Sequence, residues 1–194
     1  MSTIKVNNIQ SRTGNAISFT SGDTITIPSG ATFTNNGTIT GLGANTPAFY
    51  VDQTANQQIN DETYTVIQFN TVRLDTDSGY NTSTYKYTIP TTGKYFIYAM
   101  AYVYSPSNTD GLERYHLRLM KNSDDSIAES YYDQRNNPGY IFTNKISHIE
   151  TLSANDTIYV HAFVDVTNGV ADPEIGGSSS RSITSFGAYR LIGA

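Results

Sequence analysis

Apolar and polar side chains alternate along most of the chain beyond residue 47. This period of two is typical of β-strands that bury one face. Seven runs show it, with turn-forming residues between them: residues 48–53, 65–74, 84–89, 94–104, 140–151, 157–166 and 183–192. Residues 112–119 also fit the spacing of a helix, but Tyr115, Leu117 and Leu119 alternate with basic side chains, which favours a strand. The pattern predicts an all-β, antiparallel fold, either a sandwich or a jelly roll.

A shorter pattern occupies the first 46 residues. Glycines 22, 30 and 37 are each followed by a few residues in which Thr alternates with an apolar side chain. So few apolar residues cannot form a core in one chain, and such repeats are stabilised by stacking on other chains. We therefore predict a β-rich stalk in residues 1–46; a disordered polar linker is the alternative. The apolar side chains that we expect in interchain contacts are Ile25, Ile27, Phe33 and Ile39.

Turn-forming residues cluster at residues 41–47, and all 15 tyrosines lie beyond residue 48. Such a change of composition indicates a domain boundary. We predict two parts, the stalk at residues 1–46 and a β-rich head at residues 47–194.

Composition narrows the possible functions. Only 15% of the residues are charged and the net charge is −5, so we expect no nucleic acid partner, because that affinity depends on Lys and Arg. The chain has no cysteine, which excludes disulfides, thiolate catalysis and zinc sites that need sulfur. No run of about 18 apolar residues occurs, so we expect no membrane insertion.

The tyrosines indicate where the head meets other molecules. In residues 95–104, Tyr98, Tyr102 and Tyr104 share one strand face, while small and branched side chains occupy the other. Tyrosine is favoured where protein surfaces meet, so we predict that this face lies in contacts between subunits. The alternative is a solvent-facing side of the sheet on which tyrosine occurs only because of its high β-propensity. Three long polar loops are candidate binding loops, at residues 105–111, 131–140 and 171–181. The candidate binding residues in them are Tyr131, Tyr132 and Tyr140.

No arrangement of residues indicates catalysis. The three histidines lie far apart, and no serine-nucleophile or phosphate-binding motif occurs. Asp75 and Asp77 begin like a calcium loop, but Tyr80 and Lys86 occupy the positions that need Gly and Glu. A looser ion site in this loop is the alternative to a solvated turn. We expect no catalytic residue, no metal site and no cofactor, and interpret the chain as a binding protein rather than an enzyme.

The spacing of aromatic residues from position 69 onward resembles the globular head of the complement q-subcomponent family, whose jelly roll is shared with tumour necrosis factor. The residues that carry the resemblance are Phe69, Asp75, Tyr80, Tyr87, Gly93 and Tyr95. Residues 152–160 and 186–191 resemble the late and closing strands of that family. The resemblance implies a jelly roll that assembles as a homotrimer. Ile97 and Ala99 depart from the family pattern, which has aromatic residues there.

Residues 1–10 and 27–32 resemble the beginning of structural proteins of tailed bacteriophages, particularly cyanophages. This resemblance implies a virion protein made in the host cytoplasm, a fibre whose first segment binds other virion proteins. The head would then bind a host cell-surface glycan or protein, or a neighbouring virion protein. A capsid decoration protein is one alternative, and a polysaccharide-degrading enzyme is another.

Overall fold

The structure is a computed structural model that describes residues 26, 28–32, 45–107, 109–123, 125–169 and 172–192. Contacts divide the chain into two units, residues 1–42 and 43–194. In the first unit, Ala31 N–H donates to the Pro28 carbonyl at 3.0 Å and closes a turn. The predicted interchain residues of the stalk, Ile25, Ile27, Phe33 and Ile39, lie outside the described residues. The boundary at residue 46 stays a prediction.

The second unit is a sandwich of two antiparallel β-sheets, and its described residues form no helix. The first sheet contains β1 (Ala48–Asp52), β2 (Gln57–Gln58), β4 (Thr71–Asp75), β7 (Gly93–Tyr104), β10 (Ile141–Leu152), β12 (Glu174–Ile175) and β13 (Ser185–Arg190). The second sheet contains β3 (Thr65–Val66), β5 (Tyr80–Asn81), β6 (Lys86–Thr88), β8 (Leu112–Lys121), β9 (Asp125–Asp133) and β11 (Thr157–Val166). Nowhere in the described ranges is there a helix long and apolar enough to cross a membrane.

Strand β7 organises the first sheet. Strand β10 pairs along its full length, with Ile141 opposite Tyr104 and Leu152 opposite Gly93. Strands β13 and β12 pair with the other edge of β7, and β1 joins β13 to β4. The outward face of this sheet therefore presents side chains of β10, β7, β13 and β1 in one row.

In the second sheet, β11 pairs with β8 on one edge and with β3 and β6 on the other. Strand β9 pairs with β8 and completes the sheet on that side. Three pairs of directly opposed residues on β8 and β9 face outward: Arg114 and Asp133, His116 and Tyr131, and Arg118 and Glu129.

The core between the sheets is rich in aromatic rings. Phe49 stacks on Tyr87 with ring centroids 4.0 Å apart and meets Phe186 edge-on at 4.9 Å. The buried Tyr80 hydroxyl donates to the Phe69 carbonyl at 3.0 Å. Each such ring stabilises the fold by about 1.5–3 kcal/mol. The aromatic spacing recognised in the sequence is therefore the spacing of core positions.

The fold confirms the all-β, antiparallel jelly-roll prediction, including a strand over residues 112–119, which lie in β8. The prediction of one strand over residues 65–74 is wrong. Its beginning forms β3 in the second sheet and its end forms β4 in the first, because the chain crosses between the sheets at the buried Ile67 and Phe69.

Candidate functional site

The tyrosine face is the outward side of the first sheet around Tyr98, Tyr102 and Tyr104. Exposure alternates along β7, with Tyr95, Ile97, Ala99, Ala101 and Val103 buried in the core and the residues between them half-buried. This confirms the predicted division of β7 into a core face and a tyrosine face. Whether the three tyrosines contact another subunit stays a prediction.

Two glycines next to β7, Gly187 in β13 and Gly176 directly after β12, leave room for the tyrosine rings against the sheet. A Cβ atom at Gly187 would lie 2.5 Å from the Tyr98 hydroxyl oxygen, and one at Gly176 would lie 2.5 Å from Cδ1 of Tyr102. Tyr104 is held by its hydroxyl, which donates to Glu174 and accepts from Asn56. The face is thus a preformed surface of fixed rings.

Burial and local charge act on the hydroxyl groups of this face. Burial raises the pKa of Tyr98 above its ordinary value. Burial and the hydrogen bond to Glu174 raise the pKa of Tyr104 to about 12. Both hydroxyls therefore stay neutral at any physiological pH.

Large apolar side chains extend the tyrosine face on both sides. Ile141 and Ile149 of β10 are 58% and 56% exposed, and Phe96 packs against Tyr189 with ring centroids 5.5 Å apart. A depression of about 440 Å³ opens between β1, β7, β10 and β13. Its lining includes Tyr50, Tyr98, Met100, Lys145 and Ser147. The face combines exposed apolar area with this recess.

A buried carboxylate anchors the edge of this face. Asp52 is 4% exposed, accepts from Arg73 Nε at 2.9 Å and accepts from Ser182 Oγ at 2.7 Å. Ser182 Oγ is in turn hydrogen-bonded to the Tyr50 hydroxyl. The network fixes Tyr50 beside Tyr98, with their ring centroids 6.4 Å apart.

The aromatic-ionic face is the outward side of the second sheet. Its rings form one cluster, in which His116 meets Tyr131 at 4.4 Å and Phe163 at 4.8 Å, and Tyr64 meets Phe163 at 5.0 Å. The Arg118 guanidinium lies over the Tyr64 ring at 3.9 Å. Such cation–π contacts hold the charged group against the aromatic surface.

Charged groups surround these rings in pairs. Arg114 donates from Nε to the buried Asp165 at 2.5 Å and from Nη2 to Glu62 at 2.6 Å. Glu129 Oε1 lies 2.9 Å from Arg118 Nε and 2.6 Å from His116 Nδ1. Burial raises the pKa of Glu129, but the hydrogen bonds from Arg118 and His116 outweigh it and lower that pKa below its ordinary value.

The candidate binding tyrosines fall in three different settings. Tyr131 and Tyr132 lie in β9, so placing them in a loop is wrong, and their side chains point to opposite sides of the sheet. Tyr131 joins the aromatic-ionic face, whereas Tyr132 stacks on Phe142 of β10 with ring centroids 6.5 Å apart. Tyr140 precedes β10 and is 46% exposed. A binding role for any of the three stays a prediction.

The loop at residues 75–81 is closed by its own backbone. The Asp75 carboxylate accepts hydrogen bonds from the N–H groups of Asp77, Gly79 and Tyr80, at 3.3, 3.1 and 2.8 Å. In the part of the chain that the structure describes, no group of three His, Cys, Asp or Glu side chains is placed to hold a metal ion. The geometry gives Asp75 a structural task, the closure of the turn.

The ion pairs of the aromatic-ionic face have no signature in the local sequence pattern. Arg114 and Asp165 are 51 residues apart in sequence, and their contact depends on the pairing of β8 with β11. A signal existed in the alternation of Arg114, His116 and Arg118 along β8, which marks them as outward-facing.

Comparison with known proteins places this fold in a family. The model of the C1q domain matches residues 48–183. No curated protein matches the chain. The globular domain of the zebrafish complement 1qA protein is similar, with a TM-score of 0.51 and 17% identity over 75% of this chain and 97% of that chain. The Eiger TNF of S. frugiperda has a TM-score of 0.54 and 14% identity over 76% of this chain and 93% of that chain.

The two structures share the jelly-roll fold with this protein, as the aromatic spacing in its sequence predicts. The family model covers more than half of the chain. This protein therefore belongs to the C1q domain family.

Proposed function

We propose that the protein is a homotrimer whose subunits meet through the tyrosine face. C1q and tumour necrosis factor domains form homotrimers. The observation that carries the proposal is the composition of this face: fixed tyrosine rings, the exposed Ile141 and Ile149, and a recess beside Tyr98. Contiguous exposed apolar area of this kind marks a contact between proteins.

The absence of cysteine from the chain allows a direct test of this contact. In Ile149→Cys the single thiol lies on the tyrosine face, and in the control Thr84→Cys it lies on an exposed turn next to the second sheet. We expect a maleimide to label the thiol at position 149 much more slowly than the thiol at position 84 in the assembled protein. Equal rates in native protein would contradict a contact through this face.

We further propose that the trimer is an attachment protein of a tailed-phage virion and not an enzyme. Three observations support this proposal. The first residues resemble those of phage structural proteins, the repeats of residues 1–46 need partner chains to bury their apolar side chains, and domains of this family form homotrimers. The first segment would bind other virion proteins, and the head would bind the host surface. Three weak sites on one head gain avidity through effective concentration.

Locating the chain on its particle tests the virion role. Antibodies against residues 47–194 should label projecting fibres in electron micrographs of phage particles produced from the genome that encodes the chain. Label over the capsid lattice, or none on the particle, would contradict the attachment role.

A further inference from the structure

We propose that the aromatic-ionic face of the second sheet binds a neutral saccharide, an inference that rests on the attachment function proposed above and names its ligand class. The three opposed pairs of β8 and β9 carry it. The pair of His116 and Tyr131 lies in the middle, with Arg114 opposite Asp133 on one side and Arg118 opposite Glu129 on the other. Residues two apart on a strand are about 7 Å apart. Charged groups therefore flank the ring pair on both sides. The distance from the ring pair to each of them is similar to the width of one hexopyranose.

Tyr131 provides the stacking surface. Tyr131 is 49% exposed, yet two contacts hold its ring in place. The His116 ring packs against it edge-on, with an angle of 72° between the ring planes, and the Tyr131 hydroxyl donates a hydrogen bond to Asp133 at 3.0 Å. Asp133 is itself held by Arg135 Nη2 at 2.6 Å. The apolar C–H face of a sugar packs on such a ring. A ring that is already ordered loses little conformational entropy on binding.

The flanking groups offer the hydrogen bonds that sugar hydroxyls need. A hydroxyl both donates and accepts, so it requires donors and acceptors close together. At Glu129, the bonds from His116 and Arg118 both go to Oε1, and the Glu129 side chain is 35% exposed. Arg118 and Arg114 are each 28% exposed, which leaves part of each guanidinium in reach of a ligand.

Charge complementarity identifies the saccharide as neutral. The guanidinium groups of this face are already paired, Arg118 with Glu129, Arg135 with Asp133, and Arg114 with Glu62 and Asp165. An acidic sugar would meet these carboxylates and would have to displace one of them from its cation. A neutral polyol uses both members of each pair without adding a charge.

The face remains open in the proposed trimer because subunits would meet through the other sheet. Three copies of the site would then point outward from one head. A weak affinity of each site for a saccharide is enough for firm attachment to a surface that repeats the same sugar.

The experiment uses the full chain on a printed array of neutral hexose, deoxyhexose and N-acetylhexosamine glycans, with uronic acid and sulfated glycans alongside. We expect binding to neutral glycans. In Tyr131→Ala that binding falls by about tenfold or more, as for a central aromatic contact, and Tyr131→Phe, which keeps the ring, retains it. The matched control is Tyr85→Ala, which removes a half-buried ring in the turn before β6, on the opposite side of the second sheet from β9.

Failure to bind any neutral glycan, preference for the acidic ones, or equal loss in Tyr131→Ala and Tyr85→Ala would each overturn the saccharide site. Sedimentation of the same samples separates this failure from failure of the proposed function. A trimer that binds no neutral glycan refutes the saccharide site alone, whereas a monomer refutes the proposed trimer.

Discussion

The ring of Tyr98 lies across the backbone of Gly187 on the neighbouring strand. A Cβ atom at Gly187 would lie 2.5 Å from the Tyr98 hydroxyl oxygen and 2.8 Å from the carbonyl oxygen of Phe49. The first of these atoms can move, but the second belongs to the backbone of a paired strand. The absence of a side chain at Gly187 therefore leaves the space that the Tyr98 ring occupies.

Gly187→Ala should destabilise the fold and disturb the tyrosine face. An added methyl group in a closely packed site costs about 1–3 kcal/mol, and here it also lifts the Tyr98 ring. Urea unfolding measures the first effect and sedimentation the second. The control is Ser147→Ala, an exposed residue directly opposite Tyr98 on β10. Equal stability of Gly187→Ala and the wild type would show that the close approach of Tyr98 to Gly187 does not affect the free energy of unfolding.

Ile149→Lys should separate the trimer into folded single chains. Ile149 is 56% exposed in the single chain, so the substitution leaves the core unchanged, but it places three charges in the proposed contact. Burying an unpaired charge costs several kcal/mol. Sedimentation and circular dichroism together distinguish dissociation from unfolding. Thr84→Lys adds the same charge on an exposed turn and should stay trimeric.

Arg114→Ala should destabilise the second sheet more than Arg135→Ala does. Arg114 is paired with the carboxylate of Asp165, whose side chain is only 10% exposed, and its loss leaves that charge unpaired. The cost of such a group is about 1–3 kcal/mol. Arg135 and Asp133 form an exposed pair, and exposed pairs contribute little to stability. Urea unfolding midpoints that are equal in the two variants would contradict this difference.

Asp61→Asn should stabilise the protein at pH 7. Burial raises the pKa of Asp61 above its ordinary value of 3.8. The hydrogen bond from Val166 N–H lowers that pKa, but the negative charges of Asp165 and Glu62 raise it, and the net shift is upward. Folding therefore disfavours the ionised form, and the contribution of Asp61 to stability is lost as the pH rises through its folded pKa. Asn keeps the acceptor for Val166 N–H without the charge. The advantage of the variant should vanish near pH 3.

Asp156→Asn should behave in the opposite way. The Ser153 N–H, at 2.8 Å, lowers the pKa of Asp156 below 3.8, and Asn122 and Lys121 lower it further. Its contribution to stability is present above about pH 4 and is lost as the pH falls through the folded pKa. We therefore expect Asp156→Asn to be less stable than the wild type at pH 7, and we expect this difference to disappear at acidic pH. Thermal melts of both variants at pH 7 and pH 3 measure the two effects, and changes of the same sign would contradict them.

The faces of β7 could be predicted because twelve residues alternate without interruption. Strand β9 shows why other elements could not: it lies at an edge, most of its residues are exposed, and small polar side chains such as Ser126 give no apolar rhythm. The split of residues 65–74 also escapes prediction, since the alternation continues in sequence while the chain crosses from one sheet to the other.

The contacts that form the two faces could not be predicted from the local sequence pattern. Gly187 lies beside Tyr98 only because β13 pairs with β7. Arg114 meets Asp165 only because β8 pairs with β11. The residue types were visible in the sequence, but their meeting depends on sheet order, which alternation does not specify.

Sedimentation equilibrium of the purified full-length chain tests the proposed homotrimer most directly. A homotrimer built through the tyrosine face predicts one species with the mass of three chains, and Ile149→Lys should reduce that mass to a single chain. A wild-type protein that sediments as a stable single chain would contradict it.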